Sequence, residues 1–344
     1  MKKIRALTTV KRLIILIFVV LLIALPFAAY KYFLINPISK KSMDVEFRIS
    51  KGQSTNSVIE ELHNKGLIRS KLFAKIYFIQ NKIDRTIKPG VYRFNTSMKP
   101  IEIFDKLKKG ELDPDIITVT IPEGFTVKQI AERLYKFGLI SSVESFLDEL
   151  QSGNFNYSFI QKIPPNRPYR LEGYLFPDTY EFRRGMSENQ IANKMLNRFN
   201  VVYNTLIVPG SNRLGISPDE ALIMASIIEK EAKLEYERPV IAAVFYNRLR
   251  INMKLQSCAT VQYALGTHKE VLAYKDLEIE SPYNTYKHSG FPIGPISNPG
   301  ISSIEAALNP ANVDYIYFVA KGDGSHYFSS SYKEFLKYKN SVKN

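Results

Sequence analysis

The residue whose type and place in the sequence best fit chemistry is Glu231, in the stretch SPDEALIMASIIEKEAKLE from Ser217 to Glu235. Ser217, Pro218 and Glu220 form a capping box with proline at the first helical position, so a helix is expected to begin there. At 100° per residue, Ile223, Met224, Ile227 and Ile228 gather on one face, and Glu231 falls among them, while Glu229 points the opposite way. A carboxyl among branched apolar side chains is either paired or kept neutral, because desolvation disfavours its charge. A neutral carboxyl is what a general acid needs. The structural alternative is a buried Glu satisfied by Arg238 or Arg248.

Three more carboxylates, Glu172, Asp178 and Glu181, sit among aromatic residues in LEGYLFPDTYEF, from Leu171 to Phe182. Tyr174, Phe176, Tyr180, Tyr283, Tyr286 and Phe291 are of the type that stacks on sugar rings, and equally of the type that fills a core. The chain has no phosphate-binding loop, no dinucleotide fingerprint and no HExxH, which argues against nucleotide and common zinc chemistry. His63, His268, His288 and His326 have no ligand spacing, so no metal and no cofactor are expected. Cys258, the single cysteine, has no local signature of a thiol nucleophile.

These residues need elements to position them. Pro239 to Arg250 reads as a helix with proline in its first turn, and Glu188 to Val201 reads as another helix. Leu255 to Gly266 leads into a short helix. Ser281 to Gly300, SPYNTYKHSGFPIGPISNPG, carries four prolines and three glycines, so it is expected to be ordered without regular structure and to be functional. A helix from Ser302 to Leu308, a hairpin from Tyr315 to Phe328 turning at Gly322, Asp323 and Gly324, and a last helix from Tyr332 complete the chain.

The N-terminal half repeats itself at an offset of 72 residues. Val45 to Ile49 and Ile117 to Ile121 read as strands, each followed by a helix, GQSTNSVIEELHNKGLI and GFTVKQIAERLYKFGLI, closed by Gly66 and Gly138. Second helices run through Leu72 to Ile79 and Val143 to Leu150. The first copy, with KPGVYRF at Lys88 to Phe94 as an added strand, resembles a LysM-like glycan-binding module; otherwise it is a plain spacer. Pro164, Pro165 and Pro168 place a domain boundary near Asn154 to Arg170.

Leu13 to Tyr30 has no charge over 18 residues, with Lys2, Lys3, Arg5, Lys11 and Arg12 before it. The basic flank favours a cytoplasmic N-terminus and an exported remainder; a cleaved signal peptide is the competing reading. Residues 1 to 41 hold eight basic residues and no acid, which leaves only +6 of the net +14 for the rest. That argues against a nucleic-acid partner and suits a protein near anionic polymer or headgroups. Apolar content of 45% and charged content of 23% are ordinary for globular domains.

Taken in order, EGYLFPDTY, ASIIEKEA, VFYNRLRINMKLQS followed by TVQYALG, SPYNTY, GFPIGPISNPG, AALNP and YFVAKGDGSHYF resemble the endolytic murein transglycosylase, or YceG-like, family. The resemblance implies an N-terminal transmembrane helix at 12–34 after a basic segment at 1–11. It also implies a LysM-like module at 44–110, a second repeat and connector at 111–164, and an α+β catalytic domain at 165–344 outside the cytoplasm, anchored in the inner (cytoplasmic) membrane. The implied enzyme cuts the MurNAc-GlcNAc bond within peptidoglycan glycan strands, leaves 1,6-anhydromuramoyl ends and terminates glycan elongation. Peptidoglycan synthases are candidate partners. The second Glu of the family's EKE string is the catalytic acid and matches Glu231. The matching strings supply Glu172, Tyr174, Asp178, Tyr180, Asn247, Gln256, Thr260, Tyr263, Tyr283, Asn284, Thr285, Tyr286 and Pro292 as candidate substrate-binding residues. One departure is Cys258-Ala259, where many members have Asp-Pro, so no acid is assigned there. A non-catalytic wall-binding scaffold and a two-carboxylate hydrolase using Glu172 or Asp178 remain the alternatives.

Overall fold

The computed structural model describes residues 2–267, Lys269 and 271–342. The chain divides into two compact units, Met1–Ile116 and Ile117–Asn344. It is a mixed helix-and-sheet protein whose described strands form three separate two-stranded sheets.

The first unit opens with α1 (Lys2–Ile35), of which Leu13–Ile35 has a mean hydropathy of 3.0 and is exposed along most of its length, Leu34 near its end being buried in the unit's core. Then follow β1 (Asp44–Ile49), α2 (Thr55–Asn64), α3 (Lys71–Asn81), β2 (Gly90–Asn95) and α4 (Pro100–Lys109). β1 and β2 pair antiparallel from Asp44 opposite Asn95 to Ile49 opposite Gly90. Alternation puts Phe47, Ile49, Tyr92 and Phe94 on the inner face, where they meet Val58, Leu62, Phe78, Ile103 and Phe104. Ser54 and Ser70 cap α2 and α3 with their side-chain oxygens, which explains why the two helices are separate.

The second unit contains β3 (Ile116–Thr120), α5 (Val127–Lys136), α6 (Val143–Ser152), β4 (Thr179–Arg183), α7 (Glu188–Val202), α8 (Val208–Leu214), α9 (Pro218–Glu231), α10 (Arg238–Arg250), α11 (Cys258–Leu265), α12 (Ile301–Leu308), β5 (Tyr317–Ala320), β6 (His326–Ser329) and α13 (Tyr332–Val342). β3 pairs with β4, and β5 with β6. One hydrophobic cluster runs from Val119 through Leu134, Phe146, Phe159, Leu175 and Phe199 to Ile227, Phe245 and Leu308. The boundary suggested near residues 154–170 is therefore not a gap between cores: Phe155, Phe159, Ile160 and Ile163 are buried in this same cluster. Prolines there break the helix without uncovering the chain, and the second repeat packs into the larger unit.

α9 is the axis of that unit. Its start follows from the capping box of Ser217 and Glu220. Every residue from Ala221 to Ile228 is buried, because α8, α10 and α12 pack around it. Arg167, itself buried, ties the first turn down through a bidentate ion pair with Asp219 and donates from Nε to the Ile293 carbonyl at 2.8 Å. The chain from 281 to 300 is thereby clamped to α9 without regular structure of its own.

Candidate active site

Glu231 is the last residue of α9; Ala232 has already left the helix, at ψ 122°. The half-buried carboxyl reaches the start of α11. There the Ser257 hydroxyl donates to Oε1, and the Ala259 N–H donates to the same oxygen at 3.4 Å. A helix N-terminus carries partial positive charge, so this end of α11 turns donors and positive potential toward the Glu231 carboxyl. The departure at Cys258-Ala259 matters here, since proline at 259 would have no N–H to offer.

Ser257 is itself fixed. Its N–H donates to Thr285 Oγ1 at 3.0 Å, Thr260 donates to its carbonyl at 2.8 Å, and the Thr260 and Thr285 hydroxyls lie 2.8 Å apart. Gln256 turns the chain into this position with φ +50° and donates from its N–H to the Thr285 carbonyl at 3.1 Å. Cys258 points its Sγ to within 3.1 Å of the Tyr286 hydroxyl, and burial pushes the thiol's pKa up. A raised thiol beside a phenol is a poor nucleophile.

Glu231 opens onto a cleft of about 450 Å³ lined also by Thr126, Gln129, Tyr169, Glu172, Lys230, Cys258, Gln262 and Tyr263. Thr126, Lys128, Gln129 and Glu132 come from the start of α5, so the second repeat supplies a wall of the cleft. Glu172 is 1% exposed. Its oxygens accept from the Val127 N–H at 3.1 and 3.3 Å, from Asn298 Nδ2 at 3.1 Å and from the Tyr263 hydroxyl at 3.0 Å. Burial pushes its pKa up to about 8, against the downward pull of those donors.

Of the candidate residues read from the sequence, Glu231, Glu172 and Tyr263 come together at the cleft. Thr260, Thr285, Gln256 and Tyr286 stand behind it, holding Ser257 and touching Cys258. The others do not line it. Tyr174 is a core ring beside Phe159 and Phe199 whose hydroxyl donates to Asp219, and the Tyr180 hydroxyl donates to the Phe176 carbonyl. Asp178 pairs with Arg198 at 2.7 Å. Asn247 gives its amide to the carbonyls of Val313 and Tyr315, and Asn284 to those of Leu277 and Ile279. Tyr283 packs on Tyr263 at 4.7 Å, and Pro292 is buried in the loop.

Packing decides two points around Glu231 that the helical wheel left open. Glu229 is not turned to solvent: its side chain is 8% exposed, accepts from the Gly300 N–H at 3.0 Å and lies 3.9 Å from Arg238. A helix buried all round has no free far face. Nor does Arg238 serve Glu231, because Glu229 and Glu235 engage it, while Arg248 donates to the carbonyls of Ile316 and Leu255.

Sequence reasoning missed Ser257 and Asn298. Asn298 is fully buried; besides Glu172 it binds the Phe125 carbonyl and the Leu175 N–H. The only local signals were a serine directly before a helical run and an Asn-Pro step in the proline-rich loop. Of the histidines, His326 is committed to Glu237, 2.7 Å from Nδ1, and His268 lies outside the described residues.

Fold and cleft thus define an α+β protein with one acid presented from a helix end. The chain belongs to the YceG-like family, whose profile matches residues 47–341. It is 37% identical over 316 residues to an endolytic murein transglycosylase of Bacillus subtilis (strain 168), covering 89% of this chain and 87% of that one. It is 31% identical over 352 residues to an endolytic murein transglycosylase of Streptococcus pneumoniae, covering 93% of this chain and 62% of that one. A crystal structure of a YceG-like protein from Listeria monocytogenes superposes with a TM-score of 0.59 at 36% identity, covering 87% of this chain and 100% of that one.

Proposed function

We propose that the protein is a lytic transglycosylase that cleaves peptidoglycan glycan strands internally, with Glu231 as its single acid and base. The names of its relatives support the substrate and the reaction class. The observation that carries the residue assignment is the convergence of the Ser257 hydroxyl and the Ala259 N–H on Glu231 Oε1 at the wall of an open cleft. With Oε1 occupied, Oε2 is left to address the substrate. Glu231 gives its proton to the glycosidic oxygen between N-acetylmuramic acid and N-acetylglucosamine. The carboxylate, held by Ser257 and the end of α11, then takes the proton of the muramyl 6-hydroxyl as that oxygen bonds to the anomeric carbon. The product is a 1,6-anhydromuramoyl end, and no water is consumed.

Glu172 lies in the same cleft, which keeps a two-carboxylate hydrolase in view. Its oxygens already accept from three groups, and burial favours its neutral form. A carboxyl so engaged is ill suited to activate water. On this reading α1 is a single-pass anchor in the cytoplasmic membrane, with the rest of the chain outside and peptidoglycan synthases within reach. The first unit's strand, helix, helix, strand order, closed by an antiparallel pair, supports a LysM-like role in holding glycan.

Mass spectrometry of muropeptides released from purified wall tests the reaction. The wild type is expected to yield anhydro ends, and Glu231→Gln to lose roughly 10²- to 10⁴-fold in rate while remaining folded. Reducing ends in place of anhydro ends would sink the transglycosylase reading. Full activity in the variant would sink the residue assignment.

A further inference from the structure

Beyond α1, the first unit leaves an apolar stripe uncovered on α3. Ala74 and Phe78 turn into the core. Phe73 stacks on Phe33 at 5.0 Å and meets Tyr30 edge-on at 5.9 Å, and the Tyr30 hydroxyl donates to Gln80 at 2.9 Å. Tyr77 packs against Phe104 of α4. At 100° per residue, the remaining arc carries Leu72, Ile76 and Ile79, bordered by Lys71 and Lys75. Leu72 and Ile79 are 64% and 67% exposed, Ile76 between them is half-buried, and both lysines are exposed as well. Single exposed apolar residues are ordinary, but an aligned apolar stripe edged by lysines is the pattern of a helix lying in a lipid interface.

The position of α3 selects the occupant. The stripe adjoins the arc that packs on Tyr30 and Phe33, at the aromatic exit of the apolar stretch Leu13–Ile35. A hydrocarbon core of about 30 Å takes about 20 helical residues, so a span entering at Leu13 leaves it near Tyr32. That is where α3 meets α1. Lys31 lies at the same level, and with Lys75 it supplies charge opposite to anionic headgroups, while Lys71 is paired with Glu60 at 3.1 Å.

We propose that α3 docks the first unit onto the membrane surface, with Leu72, Ile76 and Ile79 in the headgroup–acyl boundary of an anionic phospholipid bilayer and Lys31 and Lys75 against its phosphates. This rests on reading α1 as a span and is independent of the enzymatic reading. The first unit then lies on the bilayer and does not swing freely from a single helix.

The chain has no tryptophan, so Ile79→Trp supplies a single emitter. The full chain would be reconstituted in vesicles of phosphatidylglycerol and phosphatidylcholine carrying lipids brominated high in the acyl chain. Flotation with the vesicles after a carbonate wash checks the anchor separately. Quenching is expected to be severalfold stronger than for Lys51→Trp in the exposed turn after β1. It should fall when Leu72→Glu is added, and fall again in phosphatidylcholine alone. Anchored protein whose Ile79→Trp emission is quenched no more than the Lys51→Trp control would overturn the proposal. Shielding from aqueous iodide without lipid quenching would also overturn it, since a protein would then cover the stripe. Loss of protein in the carbonate wash would remove the anchor itself.

Discussion

Ser257 holds Glu231 with one hydroxyl, and that hydroxyl is in turn aimed by Thr260 and Thr285. A hydrogen bond to a charged group contributes about 1.5–3 kcal/mol. If the bond serves mainly the carboxylate formed after proton transfer, its loss falls on kcat and not on KM. Ser257→Ala is therefore expected to lower kcat roughly 10- to 100-fold with little change in KM, and Ser257→Thr, which keeps the hydroxyl, to retain most of it. Steady-state rates on soluble glycan strands would decide. An equal rise in KM for the alanine variant would mean that Ser257 binds substrate and does not position the acid.

At the scale of elements, Glu172 joins α5, the loop carrying Asn298 and α11 through a single carboxyl. Its folded pKa of about 8 lies above the unconstrained 4.5, so the folded state holds a proton that the unfolded state has released between those values. The stability it contributes is complete below pH 4.5 and is lost as pH rises through 8, with a slope of up to about 1.4 kcal/mol per pH unit. In Glu172→Gln the amide oxygen can accept from Val127 and Asn298 while its nitrogen donates to Tyr263. The variant should fold and show a flatter loss of denaturant stability from pH 5 to 8. An unchanged slope would assign the proton uptake elsewhere. These joints also show what sequence could convey. The beginning of α9 was legible because a cap is local, and the ordered loop at 281–300 because prolines restrict their own backbone. The burial of Glu229 and the grip on Ser257 were not, since they join residues 71 and 28 positions apart. A helical wheel sees one stripe and has no knowledge of the α8, α10 and α12 packing that closes the others.

At the scale of the whole molecule, each unit has its own core, so the first can be changed without opening the second. If residues 44–110 hold glycan while the cleft of the second unit cuts it, deleting them should weaken association with intact wall yet leave turnover of short soluble strands nearly unchanged. Tethering raises the local concentration of a polymer much more than that of a fragment, which diffuses away whether or not a distant segment was held. A fixed anchor adds a second consequence. If α1 anchors the protein, the cut falls only on glycan that reaches from the membrane to the cleft, so the chain between them sets a minimum length for the strand left behind. Duplicating residues 44–110 should then lengthen the strands left behind and deleting them should shorten them, both read by chromatography of those strands. A length distribution that ignores both changes would mean that the first unit neither measures nor holds the strand.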